Sequence, residues 1–513
     1  MTSRFGFATQ AAAFTALVAL ALGTLVRLLP TLPGPLTSGD GGLIVVMVDD
    51  LRNAGLQLPL VTTYNAAGLP FVYPPMALYA AAGMAELFDL SSLAVVRILA
   101  AALSLATLGV FAILAGRLLA PAAAAGALMA YALMPHAYDG IVAGGGLTRG
   151  AGLLLALLAM VVSTSGSGLP RRTVVALGVL LGLAALSHPQ AALFGALACA
   201  VLTYRPGGLA TTLRGMAVAA VIAALIVAPW VLIVTDQHGF TSLLAAGHRW
   251  EPVLGVIRII GLTFSGAAFA DLFLALGVLG LVVALAGRRF ALPALVVALV
   301  LAGEAGAVFM GAVPWALLAG AGFGFLLNGI EPARTASDRA LRMGVGGGAL
   351  FLALIGSLGS AVDETSRLQR VSSDQVDAMA WVAAETDPGT RFIVASTVVW
   401  GADEVSEWFP AVAERQSVAT VQGSEWLGTE GFMAQRARHL AVLTCTPRTD
   451  TCMAEWSAEA GLADAWLFIP KGQLNGPLSA PDCCPALRET VRGGALYEVV
   501  YDGEGATIAR PVD

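Results

Sequence analysis

Carboxylates set among glycines are the first residues of this sequence that could do chemistry. Asp40 lies within a Ser-Gly-Asp-Gly-Gly stretch, in a long segment over residues 30–93 that also carries Asp49 and Asp50. The glycines let the backbone turn sharply beside the Asp40 carboxylate. A carboxylate presented in this way can take a proton from a hydroxyl group. An aspartate before a helix is also a common N-cap, and both interpretations stay open.

A second polar segment places an aspartate and an arginine on either side of a glycine run. Residues 135–149 contain Asp139 and Arg149, which flank three consecutive glycines at 144–146. Such glycines permit a close approach of the backbone to a ligand. Arg149 can hold a phosphate through charge-assisted hydrogen bonds, or can extend to the membrane–water interface without a ligand.

Three further residues are candidates for substrate binding. His238 and Arg249 lie in a third polar segment, 235–251, and Tyr73 precedes a double proline in the first segment. Ionisable residues where a chain meets the membrane commonly mark functional sites. The alternative interpretation of 235–251 is a polar interfacial loop with an aromatic residue at the membrane surface.

The elements that must position these residues are mostly apolar helices. Hydrophobic residues make up 57% of the 513 residues and charged residues 12%, against about 25% charged in a soluble domain. A bilayer-spanning helix needs about 20 apolar residues. Eleven spans are predicted, at 8–29, 94–116, 121–138, 150–165, 173–187, 190–204, 215–234, 269–287, 291–309, 313–330 and 343–361.

The arginines predict the orientation of these spans. Arg4 precedes the first span, and every second connection after it carries arginine, which places the N-terminus in the cytoplasm by the positive-inside rule. An odd number of spans then leaves the C-terminus outside. The apolar runs 74–88 and 253–266 are predicted to lie along the outer membrane face. The first run is interpreted as a retained anchor, with a cleaved signal peptide as the alternative.

Composition changes at residue 361, which divides a membrane domain (1–361) from a C-terminal domain (362–513) with the ordinary mixture of a water-soluble protein. A helix is predicted at 374–386, strands at 391–396 and 417–421, helices at 430–441 and 452–461, and strands at 464–469 and 496–501. This alternation predicts a small α/β domain with a mainly parallel sheet.

Tryptophans and acids gather in three stretches of this domain, around Trp400, Glu407 and Glu425-Trp426. Sugars stack on aromatic rings while carboxylates accept their hydroxyls, and ordinary packing of tryptophan explains the same residues.

Cysteines and net charge limit the partners of this chain. Cys445, Cys452, Cys483 and Cys484 all lie in the C-terminal domain. An oxidising compartment favours disulfides, with three pairings open, and a four-thiolate metal site is the alternative. The net charge of −6 and the lack of a basic stripe argue against nucleic acid.

The layout resembles the GT-C superfamily of membrane glycosyltransferases, which includes oligosaccharyltransferase catalytic subunits, protein O-mannosyltransferases and lipid A aminoarabinose transferases. The resemblance rests on Asp40 after the first helix, the surface helix that follows Tyr73, Asp139 after the third helix, and a C-terminal domain that opens with a helix and a strand. Two features depart from it. The Asp-x-Asp pair of oligosaccharyltransferases is reduced to Asp139, and their Trp-Trp-Asp-Tyr-Gly signature is absent, with Val399-Trp400-Gly401 nearby.

The resemblance implies a donor in which a polyprenyl phosphate carries the sugar, and an acceptor outside the cytoplasm. Asp40 would then be the base, with Asp139 orienting a substrate. Arg149 or Arg249 would neutralise the leaving phosphate, and a divalent cation (Mg or Mn) could replace the arginine, although too few carboxylates cluster to require one.

A non-catalytic membrane subunit or sugar-binding protein of the same architecture is the alternative. A transporter ranks last, because the charges collect at the outer face and no repeat is evident.

Overall fold

A computed structural model describes residues 2–31, 36–65, 67–144, 146–165, 169–246, 270–303, 307–329, 367–472, 474 and 482–512, with isolated positions at 348, 355, 359 and 365. Arg249 and the predicted surface segment 253–266 lie outside the described residues, as does almost all of the predicted span 343–361.

Helices joined by short connections make up the membrane domain. They are α1 (Thr2–Leu28), α2 (Gly41–Asn53), α3 (Met76–Phe88), α4 (Ser92–Leu118), α5 (Pro121–Leu133), α6 (Asp139–Val142), α7 (Gly146–Ser163), α8 (Arg171–Ala185), α9 (Pro189–Thr203), α10 (Leu209–His238), α11 (Phe240–Ala246), α12 (Ala270–Ala286), α13 (Ala291–Ala302) and α14 (Ala307–Gly329).

Length and apolarity identify the helices that can cross a bilayer. Among the described residues, five helices are long and apolar enough: Gln10–Thr31, Ser92–Leu118, Gly146–Ser163, Leu209–His238 and Phe309–Leu327. Helices α12 and α13 meet at 117° and add a sixth if they form one broken span. Several predicted spans, such as 121–138 and 190–204, are helices shorter than a bilayer crossing. The number eleven therefore stays a prediction, while the multi-helix apolar architecture is confirmed.

The long first connection folds against the C-terminal domain. Its helix α2 buries nearly every residue, and its helix α3 is the element predicted at 74–88. Strand β1 (Leu36–Thr37) pairs antiparallel with β2 (Gln369–Val371), which opens the C-terminal domain. Side chains of α2, α3 and the C-terminal domain share one hydrophobic core. The two predicted domains are therefore packed together rather than connected by a free linker.

The C-terminal domain contains a five-stranded sheet. Its helices are α15 (Ser373–Glu385), α16 (Glu404–Ala413), α17 (Gly428–Cys445), α18 (Asp450–Glu459) and α19 (Pro485–Arg492). Its further strands are β3 (Arg391–Val394), β4 (Gln416–Ser417), β5 (Trp466–Pro470), β6 (Tyr497–Asp502) and β7 (Ala506–Pro511), in the spatial order β4-β3-β5-β7-β6.

The prediction of a mainly parallel sheet is wrong. Strands β4, β3 and β5 are parallel, whereas β7 is antiparallel to both β5 and β6. The sequence prediction missed β7, which follows β6 through a tight turn where the Gly503 amide donates to the Ala506 carbonyl at 3.1 Å. A two-stranded hairpin can only be antiparallel, since a parallel pair needs a long crossover.

One disulfide is formed in the C-terminal domain, between Cys445 at the end of α17 and Cys452 in α18. The sulfurs of Cys483 and Cys484, which are neighbours in sequence, lie next to each other. Cys199, in α9, is a free buried thiol. Because the Cys445–Cys452 bond uses two of the four C-terminal sulfurs, the alternative of a four-thiolate metal site is not supported.

Candidate functional site

A cavity of about 860 Å³ lies between one end of the helix bundle and the C-terminal domain. Elements far apart in sequence form its wall: the turn before α2, the turn before α3, α7, the α8–α9 connection, α10, and three segments of the C-terminal domain. Its charged and aromatic lining side chains are Asp40, Tyr73, Arg149, His188, Trp230, Trp400, Glu404, Glu407, Glu425 and Trp426.

An ion pair joins the two residues that the sequence singles out most strongly. Arg149 Nη2 donates to Asp40 Oδ1 at 2.8 Å, across 109 residues of chain. Both side chains line the cavity and keep limited exposure, 17% for Asp40 and 27% for Arg149. Asp40 occupies the N-cap position of α2, but its side chain makes no capping hydrogen bond. Asp40 therefore lies at a helix N-cap, but its carboxylate forms an ion pair with Arg149 instead of a capping hydrogen bond.

Close packing of glycine against glycine holds this pair in place. The Gly144 amide donates to the Ser38 carbonyl at 2.8 Å. A Cβ on Gly144 would lie 2.5 Å from the backbone of Gly41 and 3.1 Å from the Trp408 ring. Trp408 Nε1 in turn donates to the Thr37 carbonyl at 2.7 Å. We call Gly41, Gly144 and Trp408 the glycine junction. It joins the first polar segment (30–93), the second polar segment (135–149) and the C-terminal domain.

Asp139 lies behind Arg149 rather than on the cavity wall. Its carboxylate contacts His136 Nδ1 at 2.9 Å and accepts from the Gly140 amide at 2.5 Å. The Gly140 carbonyl accepts a hydrogen bond from Arg149 Nη1 at 3.3 Å. Asp139 is thus linked to Arg149 through Gly140, and of the two aspartates only Asp40 lines the cavity.

Tyr73, for which the sequence predicts a substrate contact, lines the cavity. Its hydroxyl lies 3.2 Å from Thr148 Oγ1, and its ring centroid lies 5.7 Å from that of Trp426. Burial raises the pKa of the Tyr73 phenol, with the Asp40 charge as a smaller cause. A neutral hydroxyl beside an aromatic ring is suited to hold a polar ligand with an apolar face.

The other predicted binding residues in the described chain lie away from the cavity. Asp49 accepts from Ser92 Oγ at 2.5 Å and lies 3.5 Å from Arg52, and burial raises its pKa. Asp50 accepts from the Thr63 amide at 3.0 Å and the Thr63 hydroxyl at 2.7 Å. His238 ends α10 and is not among the lining residues. Asp49 and Asp50 hold the loop that carries Asp40, so their position gives no support to a substrate role.

Three glutamates of the C-terminal domain form the opposite wall, and we call Glu404, Glu407 and Glu425 the acidic wall. Burial raises the pKa of Glu404 to about 7. Burial, and then the charges of Asp40 and Glu404, hold the pKa of Glu407 well above its ordinary value. Burial also raises the pKa of Glu425. Shifts of this kind arise where carboxylates face one another across a poorly hydrated space.

Glu407 and Glu425 belong to the stretches of acids and tryptophans noted in the sequence but were not selected as site residues, and Glu404 was not singled out. Their signal was the mixture of acids and tryptophans at 400–409 and 423–426, which packing of the tryptophans explained equally well. The structure supports both interpretations: Trp408 is a buried junction residue, whereas Trp400 and Trp426 line the cavity.

Comparison with known proteins gives a match at the level of fold. No protein-family model and no curated protein matches this sequence. Among solved structures, ArnT from Cupriavidus metallidurans in the apo state matches at a TM-score of 0.59, with 14% identity over 98% of each chain. The Archaeoglobus fulgidus oligosaccharyltransferase matches at 0.55, with 14% identity over 89% of this chain and 69% of its own.

Arabinofuranosyltransferase AftD from Mycobacteria matches at a TM-score of 0.52 and 16% identity, over 97% of this chain and 40% of its own. These neighbours are GT-C glycosyltransferases, so the chain has the fold of that class of membrane protein. One solved structure of the Cupriavidus ArnT holds undecaprenyl phosphate, and one of the archaeal oligosaccharyltransferase holds a dolichol phosphate and an inhibitory peptide.

Proposed function

We propose that this protein is a membrane glycosyltransferase that moves a sugar from a polyprenyl-phosphate donor to an acceptor outside the cytoplasm. The observation that carries the proposal is the cavity at the end of an apolar helix bundle, where Arg149 is held by Asp40. The fold shared with GT-C glycosyltransferases supports the reaction class, and the ligands of those neighbours support the donor class.

Arg149 is suited to bind the donor phosphate. It lies in the first turn of α7, where free backbone amides and the helix dipole favour an anion. A guanidinium can form two parallel hydrogen bonds to phosphate oxygens. When the bond from the sugar to phosphate breaks, the phosphate gains negative charge, and Arg149 stabilises that charge.

The prenyl chain needs an apolar path to the same place. Helix α10 contributes Trp230 to the cavity, and its outer face exposes large apolar side chains such as Leu225 and Leu232. A donor lipid lying along this helix in the bilayer brings its phosphate toward the cavity. The C-terminal domain closes the cavity from the other side and is the wall that meets the acceptor.

A divalent cation stays a prediction. Among the described residues, no three His, Cys, Asp or Glu side chains converge closely enough to hold a metal ion. Asp40 and the acidic wall are the carboxylates that border the cavity.

The test is donor turnover by the purified protein. We expect released polyprenyl phosphate when the protein is given labelled polyprenyl-phosphate sugars and a mixed acceptor extract. Arg149→Gln and Asp40→Asn abolish release, whereas Arg172→Gln, which changes an exposed arginine in the first turn of α8, retains it. Equal activity of Arg149→Gln and Arg172→Gln would remove Arg149 from the site.

A non-catalytic sugar-binding protein is the second candidate. The paired tryptophans Trp400 and Trp426 on the cavity wall favour saccharide binding whether or not turnover follows. Saturable binding of a polyprenyl-phosphate sugar without release, across a broad donor panel, would establish this alternative and overturn the transferase.

A further inference from the structure

Glu407 lines the cavity, and its carboxylate has no partner in the described part of the chain. Its backbone is fixed, because its carbonyl accepts from the Tyr64 hydroxyl at 2.7 Å and its amide donates to the Asp403 carbonyl at 3.1 Å. The residue is 7% exposed and lines the cavity. Its carboxylate oxygens make no hydrogen bond and no ion pair with any residue in the part of the chain that the structure describes.

Polar groups that a protein buries are nearly always hydrogen-bonded, so a carboxylate left without a protein partner is one that reaches open space, here the cavity. The buried acid Asp403, four residues earlier, follows the rule, because it accepts from the Ser406 amide at 3.2 Å and the Ser406 hydroxyl at 2.7 Å. The bare carboxylate of Glu407 therefore indicates a partner that arrives from the cavity.

Asp40 is in the opposite situation. Its Oδ1 accepts from Arg149 at 2.8 Å. The Asp40 carboxylate is thus placed to position Arg149, whereas the Glu407 carboxylate lines the cavity without such a partner among the described residues.

We propose, on the basis of the glycosyl transfer inferred above, that Glu407 is the general base and Asp40 is the positioning residue. The Glu407 carboxylate takes the proton of an acceptor hydroxyl. The acceptor oxygen forms a bond to the anomeric carbon of the sugar, and the bond from that carbon to the phosphate oxygen breaks. The electron pair leaves with polyprenyl phosphate, whose added charge Arg149 meets. This assignment moves the base from Asp40, where the sequence put it, to the C-terminal domain.

The surroundings of Glu407 determine the pH at which it works. Asp40, Asp403, Glu404 and Glu425 all raise the pKa of Glu407 through their charges, and Arg149 and His188 line the same cavity. The base is active only when deprotonated, so transfer rises with pH through a pKa above the ordinary range of a glutamate. Removal of one neighbouring negative charge lowers that pKa.

The experiment is the pH profile of kcat for wild type, Glu407→Gln and Glu404→Gln. We expect Glu407→Gln to lower kcat by about 10²–10⁴-fold and to abolish its rise with pH, while KM for the donor changes little because Arg149 is intact. We expect Glu404→Gln to remain active with its rise moved to lower pH. Melting in detergent confirms that each variant is folded.

Three outcomes decide the matter. A wild type with no turnover on any donor ends the transferase proposal itself. A working wild type whose Glu407→Gln variant keeps both its rate and its pH dependence overturns the assignment of the base while leaving the transferase in place. If Glu407→Gln fails to fold, the Glu404→Gln profile decides, and an unmoved pH dependence there counts against Glu407.

Discussion

Replacement of Gly144 by alanine tests whether the glycine junction sets the catalytic geometry. The new Cβ would lie 2.5 Å from both the Cα and the amide nitrogen of Gly41, well inside van der Waals contact. Backbone atoms cannot rotate away as a side chain does, so the two loops must separate. The φ of Gly144 is not in the left-handed region, so alanine fits the local backbone and the effect is steric.

The expected cost is about 1–3 kcal/mol of stability, which is typical of an added methyl group in a well-packed site. The loss of activity should be larger. Asp40 adjoins Gly41, and Arg149 is bonded to Gly140 on the same loop as Gly144, so separation of the loops moves the two members of the ion pair apart. A displacement of about 1 Å at a reacting centre can cost about 100-fold in rate.

Gly83→Ala is the matched control. Gly83 lies within α3, and a Cβ there would meet nothing within 4 Å. This variant should melt at or slightly above the wild-type temperature, since alanine is favoured in helices by up to about 1 kcal/mol. Thermal melting in detergent and donor turnover are measured for both variants. If Gly144→Ala matches Gly83→Ala in both assays, the junction does not control the site.

Three further predictions concern the C-terminal domain. Burial raises the pKa of Glu404 to about 7, so its ionised carboxylate destabilises the fold; this cost is absent below pH 4.5 and grows as pH rises toward 7. Glu404→Gln should therefore melt like wild type at pH 4 and be more stable than wild type at pH 8, by at most about 3 kcal/mol. Equal melting temperatures at pH 8 would refute this. Trp426→Ala removes a residue that is 8% exposed and its ring contact with Tyr73, and it should weaken sugar-donor binding while Trp426→Phe retains most of it, as titration calorimetry would show. Cys445→Ser opens a disulfide that closes a short loop to Cys452 and should cost about 2 kcal/mol, whereas an unchanged melting temperature with or without reductant would show that the bond does not contribute.

Local composition predicted the position of most elements. The helices at 373–385 and 428–445 and the strands at 391–394 and 466–470 lie close to where periodicity placed them. These elements follow from apolar spacing within a few residues, which is a local property. The sequence analysis did not predict the final strand β7, because its apolar residues are few and directly follow those of the predicted strand β6.

The candidate site was predictable in part. Asp40, Asp139 and Arg149 stand out because charges are rare near long apolar runs, and the structure gathers all three around one guanidinium. Asp49 and Asp50 had the same sequence signal as Asp40, but in the structure they accept hydrogen bonds from Ser92 and Thr63. Which acid faces a cavity and which faces a hydroxyl of its own chain depends on packing, so composition could not separate them.

By itself, the sequence determined the apolar helix bundle, because long runs of consecutive apolar residues can satisfy their backbone hydrogen bonds in lipid by forming helices. It also determined that the polar chemistry lies in the connections. Only the tertiary structure decided that Arg149 meets Asp40 and that the Glu407 carboxylate lines the cavity with no partner among the described residues. The physical reason is that these relations depend on how three distant segments close around Gly41, Gly144 and Trp408, and contacts across hundreds of residues leave no mark in local spacing.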